Sequence, residues 1–319
     1  MARGRVLKKI AIVTGVVVGI LVVALACLWW CARPENSNPT VAVGTLERYK
    51  DFASRYVEPR EVAVWLPQGY RRGDSCDVLY MHDGQMLFDA TTTWNRREWS
   101  VDEIAGRMMA ADSLRRFIIV AVNNSDNRLE EYFPEGAWRY LPPAEQRDVA
   151  KDKLLGDKYL RFLVEEVKPF VDSTYHPFDG PGHTFVMGSS MGGLISLYAL
   201  CEYPQVFGGA ACLSSHLSMT YVGHGSSEGP WQEAFVRYLD ARLPAANSHL
   251  VYMDHGTQGF DADYGVPQQR VDSLFAAKSW DNVHYMSRVY QGHDHNETDW
   301  ARRLDVPLYF LLGRGAPRR

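Results

Sequence analysis

The chain has 319 residues, 46% hydrophobic and 23% charged, with a formal net charge of −4. That is the composition of a folded globular protein, too apolar and too weakly charged for a disordered chain. The slightly acidic balance argues against an electrostatic nucleic-acid binder, and no repeat at a period of roughly twenty to fifty residues points to a solenoid or propeller.

The first feature in chain order is an uncharged apolar run over residues 10–31, preceded by Arg3, Arg5, Lys8 and Lys9. It matches the roughly 20 residues that a bilayer-spanning helix needs. The basic flank is expected to stay cytoplasmic, which would place the rest of the chain outside. Trp29 and Trp30 suit the outer membrane interface. A cleaved signal peptide competes, because Ala24-Leu25-Ala26 resembles an A-x-A site, and Cys27 directly after it offers a lipid-attachment point. A buried core helix is the remaining reading. Residues 33–40 are polar, contain Pro34 and Pro39, and read as a linker. The expected organisation is therefore a membrane anchor or signal segment plus linker over residues 1–40, then one folded domain over 41–319. The expected location is membrane-anchored and extracytoplasmic, in the periplasm or at the cell surface, or secreted or lipid-anchored if the segment is cleaved.

From residue 41 onward strands and helices alternate. Strands are expected at residues 61–66, 77–81, 117–122, 184–187, 208–213, 249–253 and 284–290. Most are continuous apolar runs, the signature of strands buried on both faces of a helix-covered parallel sheet. Helical patterns occupy residues 159–171, 191–202, 266–278 and 298–312. The alternation argues an α/β fold with a mostly parallel central sheet and helices on both faces. Residues 217–247 are the least regular stretch and read as an insertion over a cleft, with Tyr221, Trp231 and Phe235 as pocket or core residues. Cys76, Cys201 and Cys212 follow no metal pattern. A bridge from Cys76 to Cys201 or Cys212 is open to a protein outside the cytoplasm, but buried thiols are the default.

The chemistry is concentrated in Gly188-Ser189-Ser190-Met191-Gly192. This G-x-S-x-G stands between an expected strand and an expected helix, the context of a nucleophile elbow. Ser190 is the expected nucleophile. A serine needs a base, and in α/β hydrolases the order along the chain is serine, acid, histidine. His293 and His295 follow the last expected strand, in the kind of loop where such sites are built. Among the other later histidines, His249 and His284 start strands and read as structural. Two histidines two residues apart are a weak metal signal, with no zinc spacing, so no metal or cofactor is expected. The acid should follow the preceding strand, where Asp254, Asp261 and Asp263 lie. Asp261 has the best loop position, and Asp254 reads as a brace for its own loop. An oxyanion needs backbone donors. One is the N–H of Met191, after the nucleophile. The other is expected from Gln85 or Met86, in the loop after the strand at 77–81, where His82 and Asp83 read as locally hydrogen-bonded.

At these residues the chain resembles the esterase D-type family, which groups formylglutathione hydrolases, feruloyl and acetyl-xylan esterases, enterochelin-type siderophore esterases and mycolyltransferases. The matching pieces run from Arg60-Glu61-Val62-Ala63-Val64-Trp65-Leu66-Pro67, through Tyr80-Met81-His82-Asp83-Gly84-Gln85 and Val122-Asn123-Asn124 with Arg128, to Gly188-Ser189-Ser190-Met191-Gly192-Gly193 and His295-Asn296-Glu297 with Trp300 and Arg303. The resemblance implies an α/β-hydrolase fold, His295 instead of His293 as base, and Glu297 and Trp300 as packing or orienting residues. Members often carry D-x-G-T-x-E where this chain has Asp254-His255-Gly256-Thr257-Gln258-Gly259. The missing glutamate leaves Asp261 as the nearest carboxylate of similar reach.

The leading expectation is a serine carboxylesterase with a Ser190–His295–Asp261 triad and an acyl-enzyme intermediate. Its substrate would be a small-molecule or saccharide ester. Acyl transfer to an alcohol on the same scaffold, and a catalytically inactive binding protein, are the alternatives. Partners expected beyond the ester are a membrane, through the N-terminal segment, and no nucleic acid.

Overall fold

A computed structural model describes residues 38–148, 151–219 and 229–316. Eight strands form one sheet: β1 (Thr45–Phe52), β2 (Arg60–Leu66), β3 (Asp77–His82), β4 (Phe117–Val122), β5 (Thr184–Ser189), β6 (Gly209–Leu213), β7 (Leu250–His255) and β8 (Tyr285–Val289). Their order across the sheet is β1-β2-β4-β3-β5-β6-β7-β8. β1 and β2 run antiparallel to their neighbours, and the pairings from β4 through β8 are parallel.

Side chains alternate across a strand, so a sheet covered on both faces needs apolar residues at every position. Residues β3 through β7 are buried throughout. Val78, Tyr80, Ile118 and Val120 join one core cluster, while Leu79, Met81, Ile119 and Ala121 join the other. Helices Met191–Glu202 and Pro230–Arg242 pack on the first face, and Val101–Ala110 and Asp305–Leu312 on the second. This is the expected α/β-hydrolase architecture. The sheet delivers the C-terminal ends of its parallel strands to one edge, where ligands bind in such folds.

Several expectations change in detail. The irregular stretch at 217–247 contains the helix Pro230–Arg242, and Trp231 and Phe235 are buried in the first core cluster, not lining a cleft. Tyr221 lies outside the described residues. The long C-terminal helical pattern splits into Glu297–Ala301 and Asp305–Leu312, with Pro307 in the first turn of the second. Cys76, Cys201 and Cys212 are free and buried. The membrane-anchored, extracytoplasmic location is also corrected. Among the described residues no helix is long and apolar enough to cross a membrane, and the run at 10–31 on which that reading stood lies outside them.

Candidate active site

β5 ends at Ser189, and the chain turns through Ser190 into the helix Met191–Glu202. Ser190 has φ 56° and ψ −122°, a strained conformation for a residue with a side chain. The surroundings hold it there. Its N–H donates to the Leu213 carbonyl at 2.9 Å, and its carbonyl accepts from Leu194 and His216, each at 3.1 Å. A Cβ on Gly188 would stand 2.6 Å from the Gly192 backbone, so only glycine lets the strand and the helix start come this close. The Met191 N–H lies in the first helical turn, where backbone donors have no intrahelical acceptor and the helix dipole favours negative charge.

On one side of Ser190, His295 follows β8 and Asp261 lies in the 3₁₀ turn Gly259–Asp263 after β7. His295 Nδ1 is 2.6 Å from Asp261 Oδ1. Asp261 is fully buried, and its second oxygen accepts from Ser214 Oγ at 2.5 Å and from the Gly256 N–H at 2.7 Å. Burial alone would push this carboxyl up, but hydrogen bonds from His295 and Ser214, the nearby imidazole and the Gly256 amide together hold it below the usual carboxylate range. An ionised carboxylate only accepts, so His295 Nδ1 is the donor in this bond and Nε2 is the ring nitrogen left for other partners. Trp300 crosses the His295 ring edge-on at 5.0 Å, as Tyr264 does at 5.5 Å. The Tyr264 phenol hydrogen-bonds His216 Nδ1 at 3.0 Å. Burial pushes this phenol up, and a hydrogen bond with Ser190 partly opposes that.

The competing candidates occupy other places. Asp254 is the fifth residue of β7, fully buried, and accepts from Arg303 at 3.0 and 3.2 Å. Burial raises its carboxyl above the usual range despite Arg303. Asp263 is exposed. His293 faces the Asp299 carbonyl at 3.4 Å, and its own carbonyl accepts from Thr257 and Gln258. His249 bonds Ser248 and the Pro204 carbonyl, and His284 bonds Asp281.

On the other side of Ser190 stands the loop after β3. Asp83 has φ 55° and accepts from Arg128 Nε and Nη2, both at 2.7 Å, and from Asn124 Nδ2 at 2.6 Å. These bonds span 41 to 45 residues, so the expected local bonding of Asp83 gives way to a long-range pair. Burial pushes the Asp83 carboxyl up, but the Arg128 charge and its two hydrogen bonds, with Asn124, carry it below the usual range. His82 also departs from local bonding. Its Nδ1 is 2.8 Å from the Tyr159 hydroxyl, and burial lowers its imidazole to about 3, so it stays neutral. The Met86 N–H donates to the Asp83 carbonyl at 2.8 Å and is spent in the turn. Of the expected oxyanion pair, Gln85 is the one whose N–H has no such bond; its side-chain oxygen accepts from the Asn124 N–H at 3.2 Å.

A cavity of about 640 Å³ joins the two sides, with Gln85, Ser190 and His295 on its wall beside Trp94, Trp99 and Phe260. Glu297 reaches it too and accepts from Asn95 Nδ2 at 2.8 Å. Ser214 and Tyr264 are residues around the site that the sequence does not single out, and Arg303 stands in it only as part of the resemblance, without a role.

The sheet and the serine-bearing turn define an α/β-hydrolase. A family model described as "Putative esterase" matches residues 54–311, and the chain belongs to that family. It is a carboxylic ester hydrolase. The chain is 25% identical over 272 residues to the uncharacterized protein YjcH of Bacillus subtilis, spanning 84% of this chain and 98% of that one. It is 32% identical over 147 residues to the siderophore enterobactin esterase of Emericella nidulans, 45% of this chain and 47% of that protein. Among solved structures it is similar to the enterobactin esterase of Shigella flexneri, with a TM-score of 0.62 and 15% identity over 88% of this chain and 61% of that one. A ferulic acid esterase of Anaeromyces mucronatus gives a TM-score of 0.60 and 15% identity over 89% of this chain and 96% of that one. At these identities the two structures share the fold.

Proposed function

We propose that this chain hydrolyses esters by nucleophilic catalysis, with Ser190 as nucleophile, His295 as general base and Asp261 as the acid that orients it. The observation that carries this reading is one cavity. It is shared by a serine held at φ 56° on a strand-to-helix turn and by a histidine whose Nδ1 is bonded at 2.6 Å to a buried carboxylate. Ser190 Oγ attacks the ester carbonyl and its proton passes to His295 Nε2. Asp261 stabilises the imidazolium that forms. The backbone N–H groups of Met191 and Gln85 receive the oxyanion. Collapse of the tetrahedral intermediate expels the alcohol, which takes the proton from His295, and water repeats the sequence on the acyl-enzyme. Residues 41–319 act as one catalytic unit.

Trp94, Trp99 and Phe260 around the cavity favour an ester with an aromatic part, in keeping with the ferulic acid and enterobactin esterases that the chain resembles. The test is turnover of p-nitrophenyl acetate by the full-length protein and its Ser190→Ala variant. The expected result is a loss of roughly four or more orders of magnitude in kcat with an unchanged fold. Retained turnover by folded Ser190→Ala would overturn the reading.

A further inference from the structure

Behind the proposed triad acid lies a buried polar network that the mechanism above does not use. Ser214 follows β6 on a turn at φ 41°. Its Oγ accepts from Trp300 Nε1 at 3.0 Å and from Arg303 Nη2 at 2.8 Å. A hydroxyl has two lone pairs and one proton. Two N–H donors fill both lone pairs, so the proton is committed to Asp261 Oδ2, 2.5 Å away. The direction of this bond is fixed by its neighbours.

Arg303 supplies the charge behind it. Its side chain is buried to 1% exposure, and it bridges two carboxylates: Asp254 at 3.0 Å and Asp261 Oδ2 at 3.8 Å. Its guanidinium also lies 5.0 Å over the Tyr290 ring. The titratable groups facing Asp261 are His295, Arg303 and Tyr264, with Asp254 on the other side of Arg303. Arg303 is thus shared by two buried carboxylates, whose charges would be uncompensated without it.

We propose that Ser214 and Arg303 act together as positioning residues for the triad acid, Ser214 aiming Asp261 Oδ1 at His295 and Arg303 keeping Asp261 an acceptor beside buried Asp254. This rests on the triad reading. In the working enzyme the network sets how strongly His295 holds a proton. Removing the Ser214 donor makes Asp261 more basic, and a more basic Asp261 stabilises the imidazolium. His295 then releases its proton only at higher pH, and the acid limb of kcat/KM, which requires neutral imidazole, moves up.

The experiment measures kcat, KM and the pH profile of full-length Ser214→Ala, Arg303→Lys and Arg303→Gln with p-nitrophenyl acetate, with Ser190→Ala as control and melting curves for each. Ser214→Ala should lose about 10- to 100-fold in kcat with KM within about twofold. Its acid limb should rise by about half to one pH unit. Arg303→Gln should move the limb the same way, and Arg303→Lys, which keeps the charge, should bring it back toward wild type. Should Arg303→Gln fail to fold, Ser214→Ala and Arg303→Lys still decide. A folded Ser214→Ala with wild-type kcat, or with reduced kcat and an unmoved limb, overturns the proposal while leaving the triad standing. Turnover by Ser190→Ala overturns the triad and this proposal with it.

Discussion

The cavity that Ser190 lines has a buried carboxylate on each side, Asp83 on its wall and Asp261 behind His295, and the two are paired differently. Asp261 meets an imidazole and a hydroxyl, partners that exchange or redirect a proton. Asp83 meets a guanidinium through two bonds of 2.7 Å, a partner that never gives its proton up. Both carboxyls are held below their usual range against the upward push of burial. The first arrangement suits proton transfer. The second suits a fixed strut: it locks Asp83 at φ 55°, and with it the turn that presents Gln85 to the cavity. The difference teaches that a lowered carboxyl does not by itself identify a catalytic group. The chemistry of the partner does.

The sharpest way to break this contrast is at the proton-handling wall. Asp261→Asn keeps the size of the side chain but removes the anion that, in the proposed triad, stabilises the imidazolium. We expect a loss of roughly two to four orders of magnitude in kcat with little change in KM, read from steady-state kinetics. A loss under tenfold would leave Asp261 as a structural residue.

The strut wall should give less. Arg128→Ala frees the Asp83 loop, and kcat should fall about 10- to 100-fold through displacement of Gln85, the proposed oxyanion donor, with the pH of the acid limb unmoved. The same variant has a stability signature. A carboxyl held low contributes stability that is present above the ordinary carboxylate pKa of about 3.9 and is lost as pH falls through its lowered folded value. Arg128→Ala removes this contribution, so its melting temperature should fall less steeply than wild type on acidification. A drop in activity together with a shifted acid limb would mean that this wall handles protons as well.

Smaller effects on activity sharpen the contrast within the acid's own neighbourhood. Asp254→Asn breaks a fully buried pair with Arg303, and loss of one partner of such a pair costs about 3–5 kcal/mol. Thermal denaturation should show that cost, with the specific activity of folded protein changed far less. Asp263→Asn, at an exposed position, should stay within about twofold of wild type in both assays.

Much of this was legible in the chain because it is local. Phe117–Val122 announces a central strand with uninterrupted apolar residues, and the serine motif sits where a strand gives way to a helix. Chain order then narrows the histidine and the acid. Strand β1 is harder to read, because TLERYKDF is an edge strand that is half exposed along its length and carries charges that a buried strand would not. The helix Pro230–Arg242 hides behind a glycine-rich approach, with Gly223, Gly225 and Gly229 before it. The network behind Asp261 is only partly signalled in the sequence: Trp300 and Arg303 lie in the piece that follows His295, but nothing marks Ser214. Ser214 lies 47 residues from Asp261 and 89 from Arg303, and only the parallel sheet brings the ends of β6, β7 and the C-terminal helices together.

The central claim is that Ser190 becomes covalently acylated. Full-length protein treated with a fluorophosphonate, then digested and mapped by mass spectrometry, tests it most directly. The account predicts one adduct on the Ser190 peptide, prevented by Ser190→Ala and much slowed by Asp261→Asn. An adduct on another residue, or none on protein that turns over p-nitrophenyl acetate, would contradict it.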